Sequence, residues 1–450
     1  MAASIARTPS AIMEHGRMGV AQWVAVFVTF GLNALDGFDV LAISFASPGI
    51  ARDWGLSSGT LGWILSMELL GMAVGSISLG GVGDKIGRRA TMLLCLCIMT
   101  VGMFGAGYAT GVGSLLAWRL LTGVGIGGML AVTAAAVAEY SSRRWRSMAM
   151  ALMVIGYPLG GFFGGLLAQR LLSVGAWHDI FTIGGWITAT FIPLVALLVP
   201  ESPAFYDRQR APGALEKINR VLARLGHAPA AALTPIGPSE PRASMADIFK
   251  PGLLGTTIVV TVAYFALITS FYFLIKWVPK IVVDMGYEPA VAAGVLKWFT
   301  LGGATGGAIF GVLATRYDLR PTTIAAMLGG AGMIYWFGIG QADITSLTVV
   351  VALGGFFTNS AICGMYGLFA KVFPTPVRAT GTGFAIGVGR GGAVLAPVLA
   401  GYLFQIGFGL MFVSMVMGSA ALLAAAMVFL LKEHGRGPSA SVTPAPVTTT

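Results

Sequence analysis

Apolar stretches of about 20 residues, the length that a bilayer's hydrocarbon core asks of a helix, recur twelve times along the chain. They fall at 20–46, 59–81, 90–110, 115–138, 147–169 and 179–199, then at 252–276, 291–313, 322–341, 346–369, 379–402 and 408–431. One long polar stretch, Glu201 to Lys250, divides them into two sets of six. At its start Pro200 and Pro203 stop the sixth helix. Leu215, Ile218, Val221, Leu222 and Leu225 then recur at helical spacing among Arg and Lys, which predicts an amphipathic helix lying on the cytoplasmic face. The expected organisation is a tail over 1–19, a six-helix bundle over 20–200, a linker over 201–251, a second bundle over 252–432 and a Pro/Ser/Thr-rich, disordered tail over 433–450. One apolar run carries charge inside it, at Asp36-Gly37-Phe38-Asp39. The i, i+3 spacing puts both carboxylates on one helical face. Ionisable groups at membrane depth are costly, so the pair is expected to look into a polar cavity, with Gly37 leaving the surface beside it open.

Composition agrees with this pattern. The 450 residues are 56% hydrophobic and 10% charged, with a mean hydropathy of +0.82, a surface no soluble domain of this length tolerates. The 64 glycines fit close packing of membrane helices. The net charge of +10 would fit a nucleic-acid binder, but the basic residues sit in short loops between apolar runs and form no continuous face. Most of the 28 basic residues fall on one side when both termini are cytoplasmic, against Arg52, Arg170, Lys276 and Lys280 outside. Arg119, Lys297 and Arg390 are left at membrane depth. The polar leader Met1 to Met18 has no cleavage pattern, so the first helix is expected to insert uncleaved. Cys95, Cys97 and Cys363 lie within apolar runs as packing residues, and the four histidines lie in loops or tails, unsuited to a proton relay. No nucleophile and base set, metal cluster or dinucleotide fold appears, which argues against an enzyme and a bound cofactor.

The two sets repeat one another. The segment from Gly311 echoes that from Gly80 at an offset of 231 residues, and the same offset carries Gly156, Gly160 and Gly161 onto Gly387, Gly391 and Gly392. Two homologous halves with a site between them near the midplane form the architecture of secondary transporters. The loop Gly80 to Arg89 resembles the G-x-x-G-D-[RK]-x-G-R-R signature of the major facilitator superfamily, a twelve-helix, all-α membrane fold. Gly80 and Gly87 allow a tight turn there, and Asp84, Arg88 and Arg89 can form a charge latch that breaks as the halves rock. In the second copy Thr315 and Asp318 replace the Asp and a Gly, so that latch is degenerate. Gly156, Gly160 and Gly164 form a small-residue face similar to the superfamily's fifth-helix motif, read as packing.

Arg119 opens a stretch resembling the superfamily's fourth-helix motif, and its depth differs from that of Asp39 by only roughly 5 Å. An Asp39 carboxylate that pairs with Arg119 or takes a proton would be a coupling switch; a static pair tying two helices is the alternative. Arg390 lies near the bilayer centre among glycines that leave room beside it. Its planar, permanently charged fork suits a substrate carboxylate, unless it pairs with an acid such as Glu68. Of the second-half aromatics Tyr264, Phe265, Phe271, Tyr272, Tyr366 and Phe369, one or two are expected to touch a ligand. Lys297 is expected to snorkel to the outer interface.

The D-G-F-D stretch, Ser47-Pro48-Gly49-Ile50, Asp53-Trp54-Gly55-Leu56, Trp277-Val278-Pro279, and Ala379-Thr380-Gly381-Thr382-Gly383 leading to Gly389-Arg390-Gly391 together resemble the aromatic acid:H+ symporter family of that superfamily. The resemblance implies import of benzoate-like acids, hydroxybenzoates, protocatechuate or related ring-cleavage acids with protons, by a monomer in a bacterial inner membrane. Asp36 and Asp39 would handle the proton, Arg119 would tune them and Arg390 would hold the carboxylate. Arg390 and Arg119 are the substrate-binding candidates, and Glu68, Tyr264, Tyr272 and Tyr366 are further cavity candidates. A proton symporter for non-aromatic acids or sugars, and a membrane sensor for aromatic acids, remain alternatives.

Overall fold

The computed structural model describes residues 8–235 and 244–431, so the expected disordered tail at 433–450 lies outside the described residues. Among the described residues every regular element is helical, and twelve helices are long and apolar enough to cross a membrane. In chain order they are α1 Val20–Asp53, α2 Ser58–Ser78, α3 Arg88–Gly107, α4 Val112–Tyr140, α5 Arg146–Val174, α6 Trp177–Leu198, α7 Pro251–Asp284, α8 Pro289–Arg316, α9 Leu319–Ile339, α10 Ile344–Val372, α11 Arg378–Gln405 and α12 Leu410–Leu430.

Two ends differ from expectation. Helices α1 and α7 run on through Pro48 and Pro279 to Asp53 and Asp284. A proline frees the carbonyl four residues back, but inside a membrane protein nearby hydroxyls can cover it. Here the Ser47 hydroxyl donates to Ser44 O at 2.9 Å. The 231-residue offset carries Val20–Asp53 onto Pro251–Asp284 and Pro48 onto Pro279, so the longer span belongs to the repeat. Lys276, expected in an outer loop, is therefore well inside a spanning helix and fully buried.

The packing is pseudo-symmetric. In the first half α1 packs on α5 and α6, α2 on α4, and α3 on α4 and α6; in the second α7 packs on α11 and α12, α8 on α10, and α9 on α10 and α12. The halves meet where α2 lies against α11 and α5 against α8, with α1 beside α7. Small residues set the closest crossings. Gly71 and Gly75 of α2 face the main chain of α4, and their counterparts at the same offset, Gly302 and Gly306 of α8, face the main chain of α10.

Gly37 is another such contact, not an open patch beside the aspartates: a Cβ there would overlap the main-chain carbonyl of Tyr157 on α5. Gly37→Val is accordingly expected to destabilise the α1 and α5 crossing by at least the 1–3 kcal/mol typical of overpacking. Purified variant protein should melt clearly below wild type; an unchanged melting temperature with blocked transport would return Gly37 to a role in the cavity.

The linker defines one face. Its helix Ala214–Arg224 buries Ile218 and Leu222, with Leu225 beyond its end, against Met13 of the helix Pro9–His15 and against Tyr206, so protein covers the apolar stripe. On the same face Gly87, at φ 104°, turns the chain into α3, and the Glu201 carboxylate accepts from the Arg88 main-chain N–H at 2.7 Å, an anion at a helix N-terminus. Arg88 pairs with Asp84 at 2.8 Å and Glu139 at 2.9 Å, and Arg208 of the linker helix Pro203–Gln209 joins both acids. All these partners belong to the first half or the linker. Among the described residues the expected latch thus ties loop to linker and bridges no gap between the halves.

Candidate functional site

On the face opposite the linker the two halves are sealed. Ser66 Oγ of α2 donates to Val394 O at 2.7 Å, Trp277 Nε1 of α7 donates to Pro397 O at 3.2 Å, and Gly401 seats on Ser58. Along the other seam Lys297 does not snorkel outward; its Nζ donates to Gln169 Oε1 of α5 at 2.7 Å. Toward the linker face the helices part. Gly383 shares the helical face of Arg390 two turns nearer the linker side, and a Cβ there would meet nothing within 4 Å. Tyr366 is 48% exposed. The cavity between the halves is thus reached from the linker face.

That cavity encloses about 200 Å3, below the roughly 300–1,000 Å3 of sites for drug-sized ligands. Its walls come from both halves: Leu69, Met72, Leu130 and Tyr157 from the first, and Tyr264, Ile268, Phe271, Tyr272, Ile362, Tyr366, Ile386 and Arg390 from the second. Arg390 donates to Met72 O at 3.2 Å and to the Ser76 hydroxyl. No carboxylate lies within ion-pair distance of it among the described residues, which rules out the pairing with Glu68. Of its neighbouring glycines, Gly389 seats Tyr264 and Gly392 seats the main chain of Phe265, so these two serve packing and leave no vacant space. The Tyr264 and Tyr366 hydroxyls are 3.1 Å apart, and Phe369 backs the Tyr264 ring. Four of the six second-half aromatics, Tyr264, Phe271, Tyr272 and Tyr366, line the cavity.

Above the cavity, toward the sealed face, lies a buried cluster of charge. Asp36, Asp39, Glu68, Arg119 and Lys276 are all fully buried. Arg119 does not pair with the Asp39 carboxylate. Its Nη2 sits 2.5 Å from Glu68 Oε2 and donates to the main-chain Asp39 O at 2.9 Å, while Nη1 reaches Met103 Sδ at 3.3 Å and the guanidinium lies over Phe181. The common level of Arg119 and Asp39 is as expected, but level says nothing about direction around a helix. The close α2 and α4 crossing turns Arg119 to Glu68 and leaves Asp39 only its carbonyl. From the other half, Lys276 Nζ lies 3.5 Å from the same Glu68 oxygen and donates to Val40 O at 2.5 Å. The carboxylate oxygens of Asp36 and Asp39 have no hydrogen-bond partner, so no hydrogen bond offsets the cost of a charge there. Neither aspartate lines the cavity.

Two residues escaped the sequence reading. Lys276 was hidden because the expected span ended at 276 and put its charge on the outer side, although the 231-residue offset aligns Pro279 with Pro48. Tyr157 stands between Gly156 and Pro158, where the glycine spacing drew attention to packing.

Comparison with known proteins places this geometry. The model of the Major Facilitator Superfamily matches residues 27–331. A gallate transporter of Pseudomonas putida is 30% identical over 94% of each chain. A 4-hydroxybenzoate transporter of Pseudomonas aeruginosa is 29% identical over 91% of this chain and 92% of its own. A 3-(3-hydroxy-phenyl)propionate transporter of Escherichia coli is 28% identical over 95% and 97%. Among solved structures, a D-xylose-proton symporter superposes with a TM-score of 0.71 at 17% identity, covering 91% of this chain and 98% of that one; at that identity the likeness concerns the fold.

Proposed function

We propose that this chain, which belongs to the Major Facilitator Superfamily and is a multi-pass membrane transporter, carries aromatic carboxylates together with protons. The observation that carries the reading is Arg390, a cation without a carboxylate partner in an otherwise apolar and phenolic cavity between the two halves. A guanidinium fork there suits a carboxylate, and the rings of Phe271, Tyr264, Tyr272 and Tyr366 suit a flat apolar body. Relatives that carry gallate, 4-hydroxybenzoate and hydroxyphenylpropionate by name support the same substrate class. Sugars would call for several hydrogen-bond partners and no cation, which favours an acid over a sugar.

The proton is carried by Asp36 or Asp39, whose oxygens have no partner and whose neighbour Arg119 is already committed to Glu68. The linker face is the cytoplasmic face of a bacterial inner membrane, following the basic residues of the loops, so the conformer opens inward. An anion entering against a negative-inside potential needs a cation beside it, and the proton gradient supplies it without a cofactor.

The test is uptake of radiolabelled benzoate, 4-hydroxybenzoate and gallate by proteoliposomes holding the purified monomer, with an imposed pH gradient. Accumulation of at least one of these acids, abolished by a protonophore, is expected; uptake of hexoses or dicarboxylates alone would overturn the substrate class. Asp36→Asn or Asp39→Asn should abolish substrate-driven proton uptake, and wild-type coupling in both variants would remove the proton from these residues.

A further inference from the structure

At the linker face the first half carries a second pocket, separate from the cavity between the halves. It encloses about 720 Å3 between the end of the helix Pro9–His15, the residues leading into α1 and the loop from α4 to α5. The main-chain N–H of Arg143 donates to Glu14 O at 2.9 Å and ties these segments together. Three exposed arginines line the pocket, Arg17, Arg143 and Arg144. Its acid, Glu14, stands 3.8 Å from Arg146.

Basic residues at one end of membrane helices follow from topology alone, but four arginines elsewhere on this face are taken up by the protein. Arg88 and Arg208 pair with Asp84 and Glu139, Arg224 donates to Leu197 O, and Arg320 donates to Val428 O. In the pocket, by contrast, the Arg17 and Arg143 side chains have neither a hydrogen bond nor an ion pair among the described residues, and Arg144 has only the Trp145 ring, at 5.4 Å. Three like charges gathered without an anion raise the local potential, and a bound anion lowers it.

Below the pocket the surface turns apolar. Trp23 of α1 and Trp145 meet edge to face with ring centroids 5.9 Å apart, and such amphipathic rings mark the border of a membrane. Two apolar faces run on from there. Val20 and Phe27, seven residues apart on α1, are exposed, and so are Met148 and Ile155, seven apart on α5. Helical spacing puts Phe27 opposite Asp36, and Ile155 on the far side of α5 from Tyr157 and the cavity. In a membrane both faces meet acyl chains.

We propose that this pocket binds an anionic phospholipid of the leaflet at the linker face, with Arg17, Arg143 and Arg144 around its phosphate and its chains along the exposed faces of α1 and α5. A planar guanidinium fork matches a pair of phosphate oxygens, and the continuous apolar surface below the charges is what distinguishes a lipid from a free anion. The bound lipid spans the entries to α1 and α5 and braces the crossing at which Gly37 seats on Tyr157.

The test titrates purified full-length protein in neutral detergent with dioctanoyl phosphatidylglycerol and, separately, with dioctanoyl phosphatidylcholine, counting bound lipid by native mass spectrometry. Wild type is expected to hold phosphatidylglycerol in clear preference. Each arginine contributes about 5-fold in affinity for an anionic surface, so Arg17→Gln, Arg143→Gln and Arg144→Gln together should weaken phosphatidylglycerol binding on the order of 100-fold and leave phosphatidylcholine unchanged. A control of equal charge, combining Lys217→Gln, Arg220→Gln and Arg316→Gln, removes exposed cations outside the pocket and should bind as wild type does. The three pocket arginines are exposed, so their variant should melt near wild type without lipid; Arg143→Gln alone, at about 5-fold, carries the test if the triple variant does not fold. Equal binding by wild type and pocket variant, or an equal loss in the control, would overturn the proposal. Displacement of the lipid by inorganic phosphate at matching concentration would overturn it too, because the site would then be one for a free anion.

Discussion

Replacing Arg119 by Met is expected to leave little folded transporter. The guanidinium is fully buried and commits its donors to Glu68 at 2.5 Å and to Asp39 O at 2.9 Å. Taking away one partner of a buried ion pair strands the other, which costs about 3–5 kcal/mol, against about 5–15 kcal/mol for the stability of a whole domain. Lys276 remains beside Glu68 but stands farther off, at 3.5 Å, and offers nothing to Asp39 O. Yield of monodisperse protein and melting temperature are the measurements. A double variant distinguishes the partner seen here from the one the sequence suggested. Glu68→Gln with Arg119→Met removes both charges and should recover much of the lost stability, while Asp39→Asn with Arg119→Met should recover none. Recovery by the Asp39 pair alone would mean that Arg119 serves Asp39 after all.

Arg390→Met is expected to act in the opposite way, sparing the fold and removing binding. Its protein partners are one carbonyl, Met72 O, and the Ser76 hydroxyl at the edge of the cavity, so the melting temperature should stay near that of wild type. Losing a charged hydrogen-bond partner of a bound carboxylate costs about 2–5 kcal/mol, which weakens binding by roughly 30-fold to several thousand-fold. Equilibrium binding of the transported acid to detergent-solubilised protein reads this directly, and wild-type affinity in the variant would move the carboxylate away from Arg390. Arg390→Lys should fall between the two, because an ammonium keeps the charge but loses the planar fork.

The architecture was legible because a bilayer enforces it. Twelve apolar runs can become little else, and the 231-residue echo showed that they form two halves. The extent of α1 and α7 was not legible from their apolar runs, which end at 46 and 276, because the helices continue through Pro48 and Pro279, with the Ser47 hydroxyl covering Ser44 O. That single misjudgement kept Lys276 out of the buried cluster. The depth of Asp39, Arg119 and Arg390 followed from counting residues, since rise per residue is constant. Their partners did not, because direction depends on how closely two helices approach. The glycines that set this, such as Gly71 and Gly75 against α4, are distinguishable from spacer glycines only once the neighbouring helix is in place.

The main chain of α1 is held at two consecutive carbonyls, Asp39 O by Arg119 and Val40 O by Lys276. The first grip lies within one half and travels with it. The second crosses between halves, so any conformer that separates α1 from α7 at this level bares an ammonium and a carbonyl together, deep in the membrane. Water must reach both as they part. Hydration of a previously buried ammonium and carbonyl is therefore part of the opening event.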